Sequence, residues 1–286
     1  MLKKIARFIC CPDDGSAITL KDGFWECLTC KRKSKILADN FLEILPSVFP
    51  AWDLKDNEPQ KSGDMYQQEF NREFSWEASG GWGDLSYAPP GTSGFYKSEM
   101  EKIRELLNPA SNAIAIDVSG AVGNYSRSLS DKVATMVNCD LHAPSIITAH
   151  NRRADNMVCI RTPYLKLPFV QNTFDYAICT DTLIRGWNHE VKLLKEILRV
   201  LKPGGKAIVD FHNRKWFAKN RDICAYALSD VKRVLAEASI GHYSVYPFGY
   251  VPLRIVPSEF IYSILDNIAG IFLPCKRHIV IFTKVD

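Results

Sequence analysis

Two pairs of potential metal ligands stand near the start of the chain, Cys11-Pro12-Asp13-Asp14 and Cys27-Leu28-Thr29-Cys30. Two knuckles of this spacing bring four ligands to one tetrahedral ion, and such a site can fold a unit too small for a core of its own. The metal-ligand set is then Cys11, Asp14, Cys27 and Cys30, with Cys10 as the alternative fourth ligand after a local shift. A carboxylate oxygen is a permissible zinc ligand, though rarer than sulfur in structural sites. The alternative is a ribbon that folds without metal, held by Phe8, Ile18, Trp25, Ile36 and Leu42.

A second constellation lies mid-chain. The run Ala113-Ile114-Ala115-Ile116-Asp117-Val118-Ser119-Gly120-Ala121-Val122-Gly123 is an apolar strand entering a loop of small residues. Small residues let backbone pass close to a ligand before a helix begins, and the helix amides can then face a polar group. Seventeen residues after Gly123 comes Asp140, immediately beyond a second strand, where a carboxylate can accept both hydroxyls of a ribose.

The elements that would position these residues alternate. Strands are expected at Ala113–Val118, Ala134–Cys139, Met157–Ile160, Phe174–Thr180, Lys206–Phe211, His242–Pro247 and His278–Lys284. Between them, helices are expected at Tyr96–Leu107, after Gly123, and at Ser145–Asn151, His189–Leu201, Ser229–Ser239 and Ser258–Ile268. In the fourth helix Val191, Leu194, Ile197, Leu198 and Leu201 share one face, and Pro203-Gly204-Gly205 ends it. Strand and helix taking turns is the pattern of an α/β sheet.

Downstream, Leu167-Pro168-Phe169, then Asn172-Thr173-Phe174-Asp175-Tyr176-Ala177-Ile178, then Arg199-Val200-Leu201-Lys202-Pro203-Gly204-Gly205 closely resemble the class I methyltransferase family in order and spacing. The resemblance implies a Rossmann-like seven-stranded sheet, six strands parallel and one antiparallel, over residues 95–286. It also implies S-adenosylmethionine as cofactor, lying over Asp117, Ser119, Ala121 and Gly123. Asp140 and Leu141 would sit beside the ribose, and Thr162, Pro163 and Tyr164 near the adenine, with Thr180 at the end of the fourth strand. Asp181 and His212, after the fourth and fifth strands, would be the candidate catalytic residues at the mouth of the sheet. The first 46 residues resemble short zinc-ribbon-like domains that precede some bacterial methyltransferases.

Three positions depart from the family text. Ser119 and Ala121 replace glycines of the loop, which predicts either a strained backbone or a shifted loop. Pro163 stands where an acid often meets the adenine, and Ile184-Arg185 where many relatives carry histidines. Residues 47–94, with Tyr66, Phe70, Phe74, Trp76, Trp82 and Tyr87, read as an aromatic connector or lid.

The chain has 286 residues, 47% hydrophobic and 24% charged, with a formal net charge of +4. That mild excess, with Lys31-Arg32-Lys33 and Lys35 as its one tight basic run, makes nucleic acid a less expected partner than a small molecule. Sequence alone shows no membrane span or signal-like start, and nine scattered or ligand-like cysteines suit a cytoplasmic setting. The segment from Tyr246 to Pro274 is unusually apolar and could shape a pocket, touch a membrane surface or meet another copy. Methyl transfer to a small, lipophilic metabolite is the leading expectation. A ribosomal RNA methyltransferase, a non-methylating enzyme and a partner-binding protein are the alternatives.

Overall fold

The structure is a computed structural model, and it describes residues 2–48, 93–183, 189–216, 224–251 and 258–285. The expected aromatic connector, and Ile184-Arg185, lie outside the described residues.

The strands are β1 Ile18–Lys21, β2 Phe24–Cys27, β3 Lys33–Ala38, β4 Phe41–Glu43, β5 Ile114–Val118, β6 Thr135–Asp140, β7 Met157–Arg161, β8 Phe174–Cys179, β9 Leu201–His212, β10 Tyr243–Phe248 and β11 Arg277–Thr283. After a short helical turn at Leu2–Ile5 that continues as a 3-10 turn at Ala6–Phe8, the longer helices are α1 Ser93–Leu107, α2 Asn124–Ser130, α3 Ala143–Asn151, α4 Glu190–Val200, α5 Leu228–Glu237 and α6 Glu259–Ala269. All strands join one sheet in the order β1-β2-β3-β4-β7-β6-β5-β8-β9-β11-β10.

From β7 to β10 this is the seven-stranded arrangement expected from the sequence. Neighbours from β7 to β9 are parallel, and β11 alone runs against them, with β10 reversed again beside it. Strands covered on both faces read as continuous apolar runs, and all six residues of β6 are buried. In α4, Leu193, Leu194, Ile197 and Val200 are buried while Val191 and Leu198 are only partly so, and Leu201 already opens β9; the packed face shares Leu194 and Ile197 with the expected one but is turned toward Leu193 and Val200. The chain returns through Gly204, whose φ of +75° is the left-handed turn a glycine there allows.

The sheet is wider than expected, eleven strands rather than seven. The N-terminal residues do not form a separate small sheet: β4 pairs in parallel with β7, matching Leu42 with Ile160 and Glu43 with Arg161. Without it β7 would present an unpaired edge. Trp25, wholly buried, donates from its indole to the Glu43 carbonyl at 2.8 Å, and Leu42 and Ile44 join the main core.

Strand order reverses between β5 and β8, because β6 and β7 lie to one side of β5 and β8 and β9 to the other. A crevice outside the carboxyl ends of strands forms at such a point.

Candidate cofactor and acceptor site

The loop leaving β5 answers the question its sequence raised. Ser119, Ala121 and Gly123 all adopt left-handed backbone, with φ of 60°, 44° and 76°. The loop has therefore not shifted to relieve strain. It keeps the glycine-type path while carrying two side chains that disfavour it, on the order of 1–3 kcal/mol each. The residue held most tightly is one the motif reading passed over. A methyl added to Gly120 would stand 2.2 Å from Asn138 Oδ1 and 2.5 Å from Asp117 Cγ.

Asp117 and Asn138 face each other across the β5–β6 pair, both fully buried. Ser126 Oγ donates to Asp117 Oδ2 at 2.7 Å, whereas Asp117 Oδ1 and Asn138 Oδ1 are buried acceptors with no donor among the described residues. Burial pushes the Asp117 carboxyl up to about 7, against the pull of the Ser126 hydroxyl. Orphaned buried acceptors are costly and mark places where a donor is to arrive.

Asp140 ends β6 as expected. Its two oxygens accept the amides of Ala121 at 2.8 Å and His142 at 2.7 Å, which tie it to the loop. Burial raises it to about 6, and those amides oppose the rise. A carboxylate has about four acceptor sites, so two amides leave room for hydroxyl donors. Thr162 lies next door, its amide donating to the Asp140 carbonyl at 3.0 Å and its buried hydroxyl oxygen without a partner among the described residues. Leu141, Pro163, Tyr164 and Thr180 are buried around the same strand ends. The Tyr164 hydroxyl lies 3.0 Å from His189 Nε2.

On the other side of β5 the character changes. Asp181, left-handed at φ 54°, follows β8, and Asp210 and His212 end β9. Arg277, at the start of β11, reaches Asp181 at 2.6 Å, Asp210 at 2.9 Å and Glu99 of α1 at 3.0 Å. His212 Nε2 stands 3.0 Å from Asp181, the Asp181 amide donates to Asp210 at 2.8 Å, and the Tyr125 hydroxyl donates to Glu99. Burial works against charge on Asp181, yet Arg277 and His212 together hold it well below the carboxylate range. Burial instead dominates at Glu99, raising it to about 7, and it raises Asp210 too.

Asp181, Asp210 and His212 offer ligand atoms within 4.8 Å of one another, but the guanidinium already supplies the cation there. The sequence pointed to Asp181 and His212. It missed Glu99, Asp210 and Arg277, whose available signal was a charge inside an otherwise apolar strand or helix face.

The N-terminal ligand set also assembles. Cys11, Asp14, Cys27 and Cys30 place their ligand atoms within 4.8 Å of one another. The sulfurs of Cys11 and Cys30 are 3.7 Å apart, and Cys27 Sγ is 3.5 Å from Asp14. A zinc–sulfur bond of ~2.3 Å gives a tetrahedral edge of about 3.8 Å, so the spacing fits a zinc ion. Amides of Thr29 and Cys30 point at Cys27 Sγ, each at 3.4 Å. Cys10 is not in the cluster; its amide donates to the Pro168 carbonyl at 3.0 Å, at the seam with the main sheet.

A doubly wound sheet of this order, with a small-residue loop after its central strand and an acid after the next, is a Rossmann-like α/β fold. Residues 116–209 match the family model described as a methyltransferase domain. Curated relatives agree: the demethylmenaquinone methyltransferase of Renibacterium salmoninarum is 29% identical over 175 residues, 60% of this chain and 70% of that protein. The ubiquinone/menaquinone biosynthesis C-methyltransferase of Chromobacterium violaceum is 31% identical over 107 residues, 35% of this chain and 43% of that protein. The chain spans between 44 and 70% of the length of three demethylmenaquinone methyltransferases that it matches.

Among solved structures, one chain of the complex between the Haloferax volcanii Trm112 methyltransferase activator and a methyltransferase superposes with a TM-score of 0.56 at 12% identity. That match covers 77% of this chain and 97% of the other. Haemonchus contortus phosphoethanolamine N-methyltransferase 2, solved with S-adenosylhomocysteine, gives 0.53 at 15% identity, covering 77% of this chain and 60% of its own. The structural likenesses show the fold. The domain match and the curated relatives make this chain the bearer of an S-adenosylmethionine-dependent methyltransferase domain.

Proposed function

We propose that this chain methylates a small, lipophilic metabolite, with the cofactor over the β5 loop and the acceptor at the β8–β9–β11 side of the crevice. The single observation that carries the reading is the left-handed path at positions 119, 121 and 123, kept although two of the three residues are not glycine. A strained path persists only where its surroundings over-determine it, and ligand clamps are where such strain collects.

In this reading Asp117 and Asn138 receive donors at the amino-acid end of the cofactor, Asp140 the ribose hydroxyls, and Thr162 the adenine, with Leu141, Pro163, Tyr164 and Thr180 as walls. Thr162 supplies the side-chain acceptor that Pro163 lacks. The bound cofactor supplies a methyl group on a cationic sulfur. What the protein adds is alignment, exclusion of water and fixed charge. Asp181 is the charge: about one-third exposed, ionised, and pinned by Arg277 and His212. It is too acidic to take a proton near neutral pH, so its contribution is a negative field at the mouth, braced by His212.

A lipophilic acceptor is supported by the names of the curated relatives, which act in quinone biosynthesis. Among the described residues no helix is long and apolar enough to cross a membrane. The N-terminal cluster would hold zinc through Cys11, Asp14, Cys27 and Cys30. Through β4 and the 2.5 Å Arg161–Glu43 ion pair, it would brace β7 beside Thr162.

The test is calorimetric titration with S-adenosylhomocysteine, followed by a methyl-transfer assay on a chemically reduced naphthoquinone. Micromolar binding and a methylated quinol are expected. No heat from the titration would remove the enzymatic reading, and transfer to ribosomal RNA rather than the quinol would redirect it.

A further inference from the structure

Three charged residues end three adjacent strands: Glu43 on β4, Arg161 on β7 and Asp140 on β6. In the parallel register Arg161 is partnered with Glu43 on one side and with Asp140 on the other. Register partners project from the same face, and neighbouring strands lie about 4.8 Å apart, so this arginine has a carboxylate within reach on either hand. It takes only one of them. Arg161 Nη1 meets Glu43 at 2.5 Å and Nε donates to the Leu141 carbonyl at 3.1 Å, whereas Asp140 has no ion pair among the described residues. Of the two acids Asp140 is the more buried, at 7% exposure against 29% for the Glu43 side chain. Coulomb attraction is stronger where water is scarcer, so charge alone favours Asp140 as the partner. Position decides otherwise, because Glu43 is built into place. The Trp25 indole donates to its carbonyl at 2.8 Å, the Ile44 amide donates to the Arg161 carbonyl at 2.9 Å, and Leu42 and Ile44 on either side of it are wholly buried.

The consequence falls on Asp140. Two of its roughly four acceptor sites are taken by the amides of Ala121 and His142, and a guanidinium paired side by side with a carboxylate fills two more. From the row Glu43–Arg161–Asp140 we propose that Glu43 is a positioning residue for the cofactor: it holds the Arg161 guanidinium off Asp140 and so keeps the remaining acceptor sites open to the ribose hydroxyls. This rests on the methyltransferase reading above and adds to it a residue from outside the matched span of 116–209. At the distance Glu43 imposes, Arg161 still acts through space. Burial raises the Asp140 carboxyl, backbone amides oppose the rise, and Arg161 lowers it further without covering it. The other titratable groups facing Asp140 are Asp117 on β5, Cys139 on β6, Cys179 on β8 and His142 before α3, and the variants below leave all four in place.

The experiment is S-adenosylhomocysteine titration at about pH 8, with the Asp140 carboxyl followed by carbon NMR in ligand-free protein. Glu43→Gln is expected to bind at least about tenfold more weakly, and its Asp140 to titrate at lower pH than in wild type, since Arg161 then sits on it. Arg161→Met added to Glu43→Gln is expected to restore affinity to within about threefold of wild type and to move the Asp140 titration above the wild-type value. A glutamate that merely braced β7 would not be replaced by removing a second side chain, nor would its loss make Asp140 more acidic. Unchanged affinity in Glu43→Gln, a loss that the double variant does not repair, or an Asp140 titration that stays or rises in Glu43→Gln each overturns the proposal. Failure of wild type to bind S-adenosylhomocysteine sinks the methyltransferase reading instead, and the ligand-free titration still decides whether Glu43 restrains Arg161.

Discussion

The two sides of the crevice solve opposite problems with the same kinds of atoms. On the β5–β6–β7 side, Asp117, Asn138 and Thr162 carry buried oxygens that await donors, and the backbone that frames them is strained. On the β8–β9–β11 side, three acids converge on one guanidinium, and Arg277 is 1% exposed. In the proposed reading the first arrangement keeps its unmet hydrogen bonding for the cofactor. The second sets its charges against one another, although Glu99 Oε1 and Arg277 Nε lack a hydrogen-bond partner among the described residues, and leaves Asp181 about one-third exposed.

The largest blow to this contrast should come from Arg277→Met. It leaves Asp181, Asp210 and Glu99 clustered without their cation, and breaking such a pair typically costs about 3–5 kcal/mol. Chemical denaturation should show a loss of that size; a loss below about 1 kcal/mol would mean that the acids are relieved by water.

Gly120→Ala should be nearly as damaging to ligand binding. The added methyl meets Asn138 and Asp117, so the loop must open and S-adenosylhomocysteine affinity should fall beyond calorimetric detection.

Asp140→Asn comes next. An amide group would turn N–H toward one of the two backbone amides that Asp140 now accepts. A hundredfold loss of affinity, about 2.7 kcal/mol, is expected. In the wild type, affinity depends on the ionised form of Asp140, whose carboxyl is raised to about 6. Binding should be full above that pH and weaken as the pH falls through it, by up to about tenfold per unit. A flat profile between pH 5 and 7, a range of about two units around that value, would remove Asp140 from the ribose contact.

The smallest effect is a gain. Ser119→Gly and Ala121→Gly relieve positive φ and should each stabilise by about 1 kcal/mol, net of the greater freedom of glycine when unfolded. Thermal melts that fall instead would show that these side chains are held by contacts outweighing the strain.

Much of the sheet was legible because its strands are apolar on both faces and its helices on one. The residues from Ala113 to Gly123 announced the crevice, and Cys11, Asp14, Cys27 and Cys30 the ligand cluster, because close backbone approach and metal geometry demand particular residue types at short spacing. Gly120 was passed over since its role depends on Asn138, eighteen positions away and one strand across. The widening of the sheet was equally hidden. Nothing in Phe41-Leu42-Glu43 names β7 as its partner, for a three-residue strand offers the same edge to any other.

Sequence by itself therefore determined the periodicities, the loop of small residues and the acids at strand ends, all of which are local consequences of residue type. Tertiary structure alone decided that Ser119 and Ala121 keep a glycine's backbone, and that three acids spread between positions 99 and 210 share Arg277. Those are matters of which charges burial brings together, and burial is a property of the assembled sheet.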